Sequence, residues 1–467
     1  MLFKRKSYHI IFIFFIITFT FNIKVQSQTT FIKGADVSFL QQIEDNGGKF
    51  YENGKAVDVL RLFKEHDINF IRLRLWNNPS DKYNGLDSTL VMAARIKKHG
   101  LKFLLDFHYS DTWADPGHQT KPLAWQNISF DALKDSIYAY TYHVISLLKT
   151  QNTLPDIVQI GNEITSGFLW NDGRVGGIYN TPQQWHNFAS LLKMGIEGVK
   201  DACGGINSVK IMIHIDRGGD QSGSRWFFDH LISENVNFDI IGLSYYPWWQ
   251  GSLTALKNNM NMLANRYHKK IVIVETAYPW TLKGADSKNN IVGKNSQLLK
   301  GYPATVQGQY DFLTDLINII KNTNGGLGAG VFYWEPDDIS TRLLPSSWEN
   351  NALFDFNGNV LNSINAFVNI ASIHTENPLK INYSISQNYP NPFNASTVIN
   401  YSIPIETHVN LTVYNLLGQK VKILVNANKR AGFYRAYFNG INLHSGVYFY
   451  RFHAGNYSRT KKLILLK

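Results

Sequence analysis

The 467-residue sequence predicts a (β/α)8 barrel followed by a small all-β, immunoglobulin-like sandwich. Three observations predict it. From residue 31 to about 371, short apolar runs alternate with amphipathic stretches, the pattern of repeated βα units on a parallel sheet. Eight such runs are rich in Ile, Leu, Val and Phe, as strands covered on both faces must be. After Ile373 the helical periodicity ends, and alternating runs rich in Asn, Ser, Tyr and Val take over.

Residues 1–27 read as a secretory signal. Lys4, Arg5 and Lys6 precede an apolar run from Ile10 to Phe21, and Val25-Gln26-Ser27 offers small residues for cleavage. The run is short of the roughly 20 apolar residues that span a bilayer. A mature chain starting near Gln28 and exported from the cell is expected; Cys203 is the only cysteine, so no internal disulfide can form.

The barrel domain is expected over 28–373, with strands at Phe31–Val37, Phe70–Trp76, Lys102–His108, Ile157–Glu163, Lys210–Ile215, Ile240–Tyr245, Ile271–Glu275 and Gly330–Trp334. A doubly wound open sheet is the rival reading of the alternation. The clearest helix begins at Thr181, with Pro182 in the first turn and Gln184 placed to complete a capping box. Trp185, Phe188, Leu191, Leu192, Ile196 and Val199 follow at helical spacing, and Gly204-Gly205 ends it. Similar faces run through Val57–Phe63, Leu90–Ile96, Leu133–Leu148 and Tyr310–Ile320. A linker is expected at 374–381, and a sandwich over 382–467 with strands at Val409–Tyr414 and Val447–Phe452.

The net charge of +11 would suggest an anionic partner, but its distribution says otherwise. Residues 1–27 carry +4, residues 378–467 carry +10, and the middle carries −3. A near-neutral centre argues against nucleic acid as a partner and suits a neutral polymer. Aromatic residues at 14% fit either a sugar-binding cleft or a large core.

In a barrel the active site lies where the strands end, so polar residues closing apolar strands are the informative ones. The fourth strand closes with Gly161-Asn162-Glu163, the seventh with Val274-Glu275-Thr276, and the third with Asp106-Phe107-His108. Arg72, Arg74, Tyr245, Tyr246, Trp334 and Glu335 close others. A carboxylate there is costly to desolvate unless paired or used. Either glutamate alone could be a buried ion pair with Arg72 or Arg74. Together, across the barrel mouth, they could supply the two carboxyl groups that glycoside hydrolysis with retention requires.

The stretches Gly34-Ala-Asp-Val-Ser38, Ile71-Arg-Leu-Arg-Leu-Trp76, Asp106-Phe-His-Tyr-Ser-Asp-Thr-Trp-Ala-Asp-Pro116, Gln159-Ile-Gly-Asn-Glu163 and Val274-Glu-Thr-Ala-Tyr-Pro279 carry a family resemblance. Residues 31–371 resemble glycoside hydrolase family 53, the arabinogalactan endo-β-1,4-galactanases, within the clan of retaining barrel glycosidases. The resemblance implies endo-hydrolysis of galactan, the neutral side chain of pectin, with Glu163 as general acid/base and Glu275 as nucleophile. It implies that Asn162 holds the sugar 2-hydroxyl and that His108 and Asp106 line the same subsite. Arg74, with Tyr245, is the candidate donor to Glu275. Trp334, Trp113, Trp248 and Trp249 are candidate cleft residues, while Trp76 and Trp170 could equally be core. No cofactor is required, and a monomer is expected. Some bacterial members hold a structural calcium after the seventh strand; Asp286 and Asn290 keep two oxygen side chains there, but Lys288 stands where a ligand would be expected. The shared glutamate pair leaves open another glycanase acting on mannan or glucan, and a non-catalytic galactan-binding protein is the reading from a different class.

Asn388-Tyr-Pro-Asn-Pro-Phe-Asn394, Val413-Tyr-Asn-Leu-Leu-Gly-Gln419, Ser445-Gly-Val-Tyr-Phe-Tyr450 and Lys461-Lys462 are similar to the sorting domain of the type IX secretion system of Bacteroidetes-like bacteria. The resemblance implies recognition by outer-membrane secretion machinery, followed by release or surface attachment. A carbohydrate-binding sandwich is the alternative.

Overall fold

A computed structural model of the chain describes residues 30–205, 209–368, 383–388, 390–429 and 432–467. The signal segment 1–27 and the linker 374–381 lie outside the described residues. Two compact units are present, one reaching Val368 and one within 369–467.

The first unit is a closed barrel of eight parallel strands. These are β1 (Ile32–Asp36), β2 (Phe70–Leu75), β3 (Lys102–Phe107), β4 (Ile157–Ile160), β5 (Lys210–Ile215), β6 (Ile240–Ser244), β7 (Lys270–Glu275) and β8 (Gly328–Tyr333). Neighbours in sequence are neighbours in space, and β1 pairs with both β2 and β8, which closes the sheet and removes the open-sheet alternative.

The two-residue period of a strand builds the interior in layers. Ile32, Phe70, Leu104, Ile157, Met212, Ile240, Val272, Val274 and Phe332, drawn from all eight strands, form one buried apolar cluster. Gly34 is required there: a Cβ on it would lie 2.1 Å from Phe332 Cδ1. Two residues further along their strands, Arg72, Asp106, Gln159 and His214 form a polar layer that Asp36, paired in register with Arg72, completes; all five are fully buried. The apolar layer closes the barrel floor, and the polar layer supports the catalytic end.

The helix Pro182–Ala202 forms as its sequence predicts. Thr181 Oγ1 accepts from Gln184 N at 3.2 Å, Trp185, Phe188, Leu191, Leu192, Ile196 and Val199 are buried, and Gly204 and Gly205 adopt positive φ. The capping box is only half made. Gln184 donates instead to the Asn171 and Arg174 carbonyls, and the Thr181 amide turns to Tyr179 O. Gln221–Ser233 and Leu253–Tyr267 are helices that periodicity did not reveal. The second carries Asn258, Asn259, Asn261 and Asn265, poor helix formers that tertiary packing overrides.

In the second unit, β9 (Ser384–Ile385), β10 (Ser396–Ile403) and β13 (Gly432–Asn439) make a three-stranded sheet. A four-stranded sheet is formed by β11 (Thr407–Tyr414), β12 (Lys420–Lys429), β14 (Gly446–Ala454) and β15 (Tyr457–Leu465), and all pairings are antiparallel. Alternate residues Val409, Leu411, Val413, Tyr450, Phe452, Leu463 and Leu465 meet Ile399, Tyr401, Ile403 and Phe438 in one core. Buried Asn388 anchors its loop by donating to Pro390 O and Thr397 Oγ1.

Candidate active site

Glu163 and Glu275 converge at the C-terminal end of the barrel. Gly161, with φ of 81°, turns the chain off β4, and Glu163 follows in the left-handed region at φ 48°, ψ 47°. Glu275 ends β7, where the β6–β7 pairing shifts register between Leu243 and Ser244 and sets Ser244 beside Glu275. One oxygen of each carboxylate and a ring nitrogen of His214 lie within 4.8 Å of one another.

The two carboxyls have different partners. Arg72 Nη1 lies 3.0 Å from Glu275 Oε1, and the Tyr246 hydroxyl donates to Oε2 at 3.1 Å. Glu163 Oε1 lies 2.7 Å from Ser244 Oγ, which is also 3.3 Å from Glu275 Oε2. Burial pushes Glu163 well above the ordinary carboxylate range, and the charges of Glu275 and Asp216 push the same way. Burial also raises Glu275, to about 7, against the downward pull of Arg72. Arg72 and the Tyr246 hydroxyl favour charge on Glu275, whereas burial and the charge of Glu275 favour a proton on Glu163.

Arg72 organises the floor of the site. Its guanidinium reaches Asp36 Oδ2 and Asp106 Oδ2, each at 2.8 Å, and donates to Asn162 Oδ1 at 2.9 Å. Burial disfavours its charge, but Asp106, Glu275 and Asp36 hold it protonated. The assignment of Arg74 and Tyr245 as donors to Glu275 is thus corrected to Arg72 and Tyr246. Arg74 lies one layer nearer the rim, paired with Glu335 Oε1 at 2.7 Å and enclosed by Phe39 and Trp113. Tyr245 donates to Gly251 O instead.

His108 and Asp106 are also corrected, from cleft lining to support. His108 Nε2 meets Asp106 at 3.1 Å, while its Nδ1 accepts from the Trp76 indole and the Ala114 amide. Both nitrogens are spent, and the ring is buried. Asp106 is wholly enclosed by Arg72, Gln159 and His108. Asn162 donates to Ala114 O with one amide hydrogen, leaving the other for a ligand.

Aromatic rings flank the carboxylates. Trp334 lies 6.1 Å from Trp113 and 6.4 Å from Trp348, and Arg72 sits against its ring. Trp248, Trp249, Tyr246 and Trp348 form a second cluster, with Trp249 59% exposed. Trp76 is buried against His108 and Trp113, and Trp170 stacks under Arg174. Sequence reasoning missed Trp348, which lies in a loop without periodicity. It also missed His214, Ser244 and Gln159, whose signal was a lone polar residue at an inward position of an apolar strand.

In the Glu163–His214–Glu275 trio, both His214 nitrogens are engaged, by Ser244 and by Asn162, and Arg72 already supplies the positive charge. At the calcium position, Asp286 Oδ1 accepts from the Lys288 amide, and Oδ2 accepts from Ser340 Oγ and the Ser346 amide. Asn290 donates to Lys283 O through Nδ2, while its buried Oδ1 has no hydrogen-bond partner.

Several known proteins are similar to this chain. A relative from Niallia circulans, known as an uncharacterized protein in the bgaB 5' region, is 50% identical over 346 residues, covering 73% of this chain and 94% of its own. The arabinogalactan endo-beta-1,4-galactanase of Cellvibrio japonicus is 37% identical over 345 residues, covering 72% and 89%. The solved GH53 catalytic domain of Ignisphaera aggregans superposes with a TM-score of 0.68 at 40% identity, covering 73% of this chain and 97% of its own. Residues 387–466 match the secretion system C-terminal sorting domain. Residues 32–367 match glycosyl hydrolase family 53 from end to end of the barrel, and the chain belongs to that family of glycoside hydrolases.

Proposed function

We propose that the enzyme hydrolyses internal β-1,4-galactosidic bonds of galactan, the type I arabinogalactan side chain of pectin, with retention at the anomeric carbon. The observation that carries the reading is the carboxyl pair, with oxygens within 4.8 Å. Retaining enzymes hold their carboxyls about 5–5.5 Å apart, whereas inverting ones leave about 6.5–9.5 Å for a water. Glu275, ionised beside Arg72 and Tyr246, attacks the anomeric carbon while Glu163 protonates the departing oxygen. Glu163, now a carboxylate, then takes a proton from the water that releases the sugar. The free Asn162 amide hydrogen is placed to hold the sugar 2-hydroxyl, and Trp334, Trp113, Trp248, Trp249 and Trp348 offer faces for sugar rings. Galactan as substrate is supported by the Cellvibrio relative's activity. The sorting domain supports display outside the cell, with the basic, apolar segment 1–27 as the first export signal.

Product analysis on unbranched galactan, with mannan, xylan and cellulose alongside, tests the substrate and the internal cut together. Short galacto-oligosaccharides released first as β-anomers are expected, and Glu275→Gln should abolish turnover while the chain stays folded. Release from mannan or glucan alone, or α-anomers as the first product, would refute the reading. An inert chain that still bound galactan would establish the non-catalytic alternative.

A further inference from the structure

Ser244 is fully buried on β6 between the two carboxyls and has one hydroxyl proton to give. Its Oγ lies 2.7 Å from Glu163 Oε1, 2.8 Å from His214 Nε2 and 3.3 Å from Glu275 Oε2. Where that proton points is set by the far side of His214. Asn162 Oδ1 accepts from Arg72 at 2.9 Å while Asn162 Nδ2 donates to Ala114 O, so the amide orientation is fixed. His214 Nδ1 lies 2.9 Å from Asn162 Oδ1, which can only accept, and 3.4 Å from the Glu163 amide; the shorter contact decides, and Nδ1 carries hydrogen. Gln159 Nε2, 3.1 Å from Nδ1, does not need it as an acceptor, because it already donates to Asp106 Oδ1 and Gly161 O. Burial beside Arg72 and His108 holds the His214 ring well below the ordinary histidine range, hence neutral. A neutral ring protonated at Nδ1 has a bare Nε2, which accepts from Ser244. The short Glu163–Ser244 contact then requires hydrogen on Glu163.

We propose that Ser244, set by His214, is a positioning residue whose hydroxyl donates to His214 while Glu163 is protonated and rotates to Glu163 Oε1 when that carboxylate forms. The inference rests on the retaining mechanism above. No proton changes owner at Ser244: Glu163 gives its proton to the leaving alcohol as the bond from Glu275 to the sugar carbon forms, and the Ser244 O–H turns to meet the new charge. A donor waiting 2.7 Å away stabilises the charge as it develops, so it acts on the transition state more than on the ground state. When water later returns a proton to Glu163, the hydroxyl turns back to Nε2. The charged and titratable groups facing Glu163 are Arg72 of β2, His214 of β5 and Asp216 after it, Tyr246 after β6 and Glu275 of β7, with Asp36 of β1 and Asp106 of β3 behind Arg72. Replacing Ser244 removes none of them.

The test uses the full chain and its Ser244→Ala variant on galactan and on a dinitrophenyl β-galactobioside, whose leaving group needs no proton. With Ser244→Ala, kcat/KM on galactan should fall about 10- to 100-fold. The alkaline limb of its pH profile should move to higher pH, because the Glu163 carboxylate has lost a donor. The activated substrate should lose clearly less of its kcat/KM than galactan does, and Ser244→Thr should return the limb. An unmoved limb, or an equal loss on both substrates, would overturn the proposal. A bell-shaped wild-type profile together with an inactive Glu275→Gln variant establishes the carboxylate roles independently of Ser244.

Discussion

Replacing Arg72 with methionine removes the cation on which three buried carboxylates depend. Asp36 and Asp106 lie 2.8 Å from its guanidinium and Glu275 lies 3.0 Å away, all almost without solvent. At 3 Å and an effective dielectric near 20, each attraction is worth about 5–6 kcal/mol before the cost of desolvation. That cost offsets most of the sum, but it was met when the charges were buried, and Arg72→Met leaves it unbalanced. Breaking a buried pair by removing one partner costs about 3–5 kcal/mol. We predict a loss of that order at pH 7, read from urea unfolding of the full chain. The loss should be smaller near pH 4.5, where the orphaned carboxyls take up protons. Arg72 pulls Glu275 down, so its removal also moves the acid limb of the kcat/KM profile to higher pH. A variant that unfolds with the wild type at pH 7 and keeps its acid limb would refute the reasoning.

Glu275 titrates at about 7, above its ordinary 4.5, so the folded state keeps a proton that the unfolded state releases between those values. Its contribution to stability is full below about 4.5 and is lost as pH rises through about 7. Glu275→Gln should therefore unfold later than wild type at pH 8, by on the order of a few kcal/mol, and together with it at pH 4.5. Trp249→Ala, at a ring 59% exposed, should raise KM on galactan about 3- to 10-fold with kcat and melting temperature unchanged. Unchanged binding would remove Trp249 from the cleft. Gly34→Ala forces a methyl against Phe332 and should cost about 1–3 kcal/mol in thermal unfolding.

The barrel was legible because double burial writes each strand as an apolar run, and because Glu163 and Glu275 close two of those runs. Strand ends shifted by a residue or two, as at Gly330–Trp334, which is observed as Gly328–Tyr333. Partner choice was less legible. Arg72 and Arg74 lie two apart on one strand and share a face, so only the three-dimensional layering assigns Arg72 to Glu275 and Arg74 to Glu335. Tyr245 and Tyr246 are adjacent, and only the packing assigns Tyr246 to Glu275 and Tyr245 to Gly251 O. Ser244 and His214 each stand alone in an apolar strand, and their chemistry appears only when β5 and β6 bring them together. The Asp286 loop is read differently in space from its spacing: neighbouring amides and Ser340 take its oxygens.

The role of Glu275 is tested most directly by trapping. An activated 2-deoxy-2-fluoro-β-galactobioside slows release of the sugar and accumulates the covalent intermediate, which mass spectrometry of the digested chain can locate. A single adduct on the peptide containing Glu275, absent from Glu275→Gln, is the predicted result. An adduct on another residue, or none while the substrate is still turned over, would contradict it.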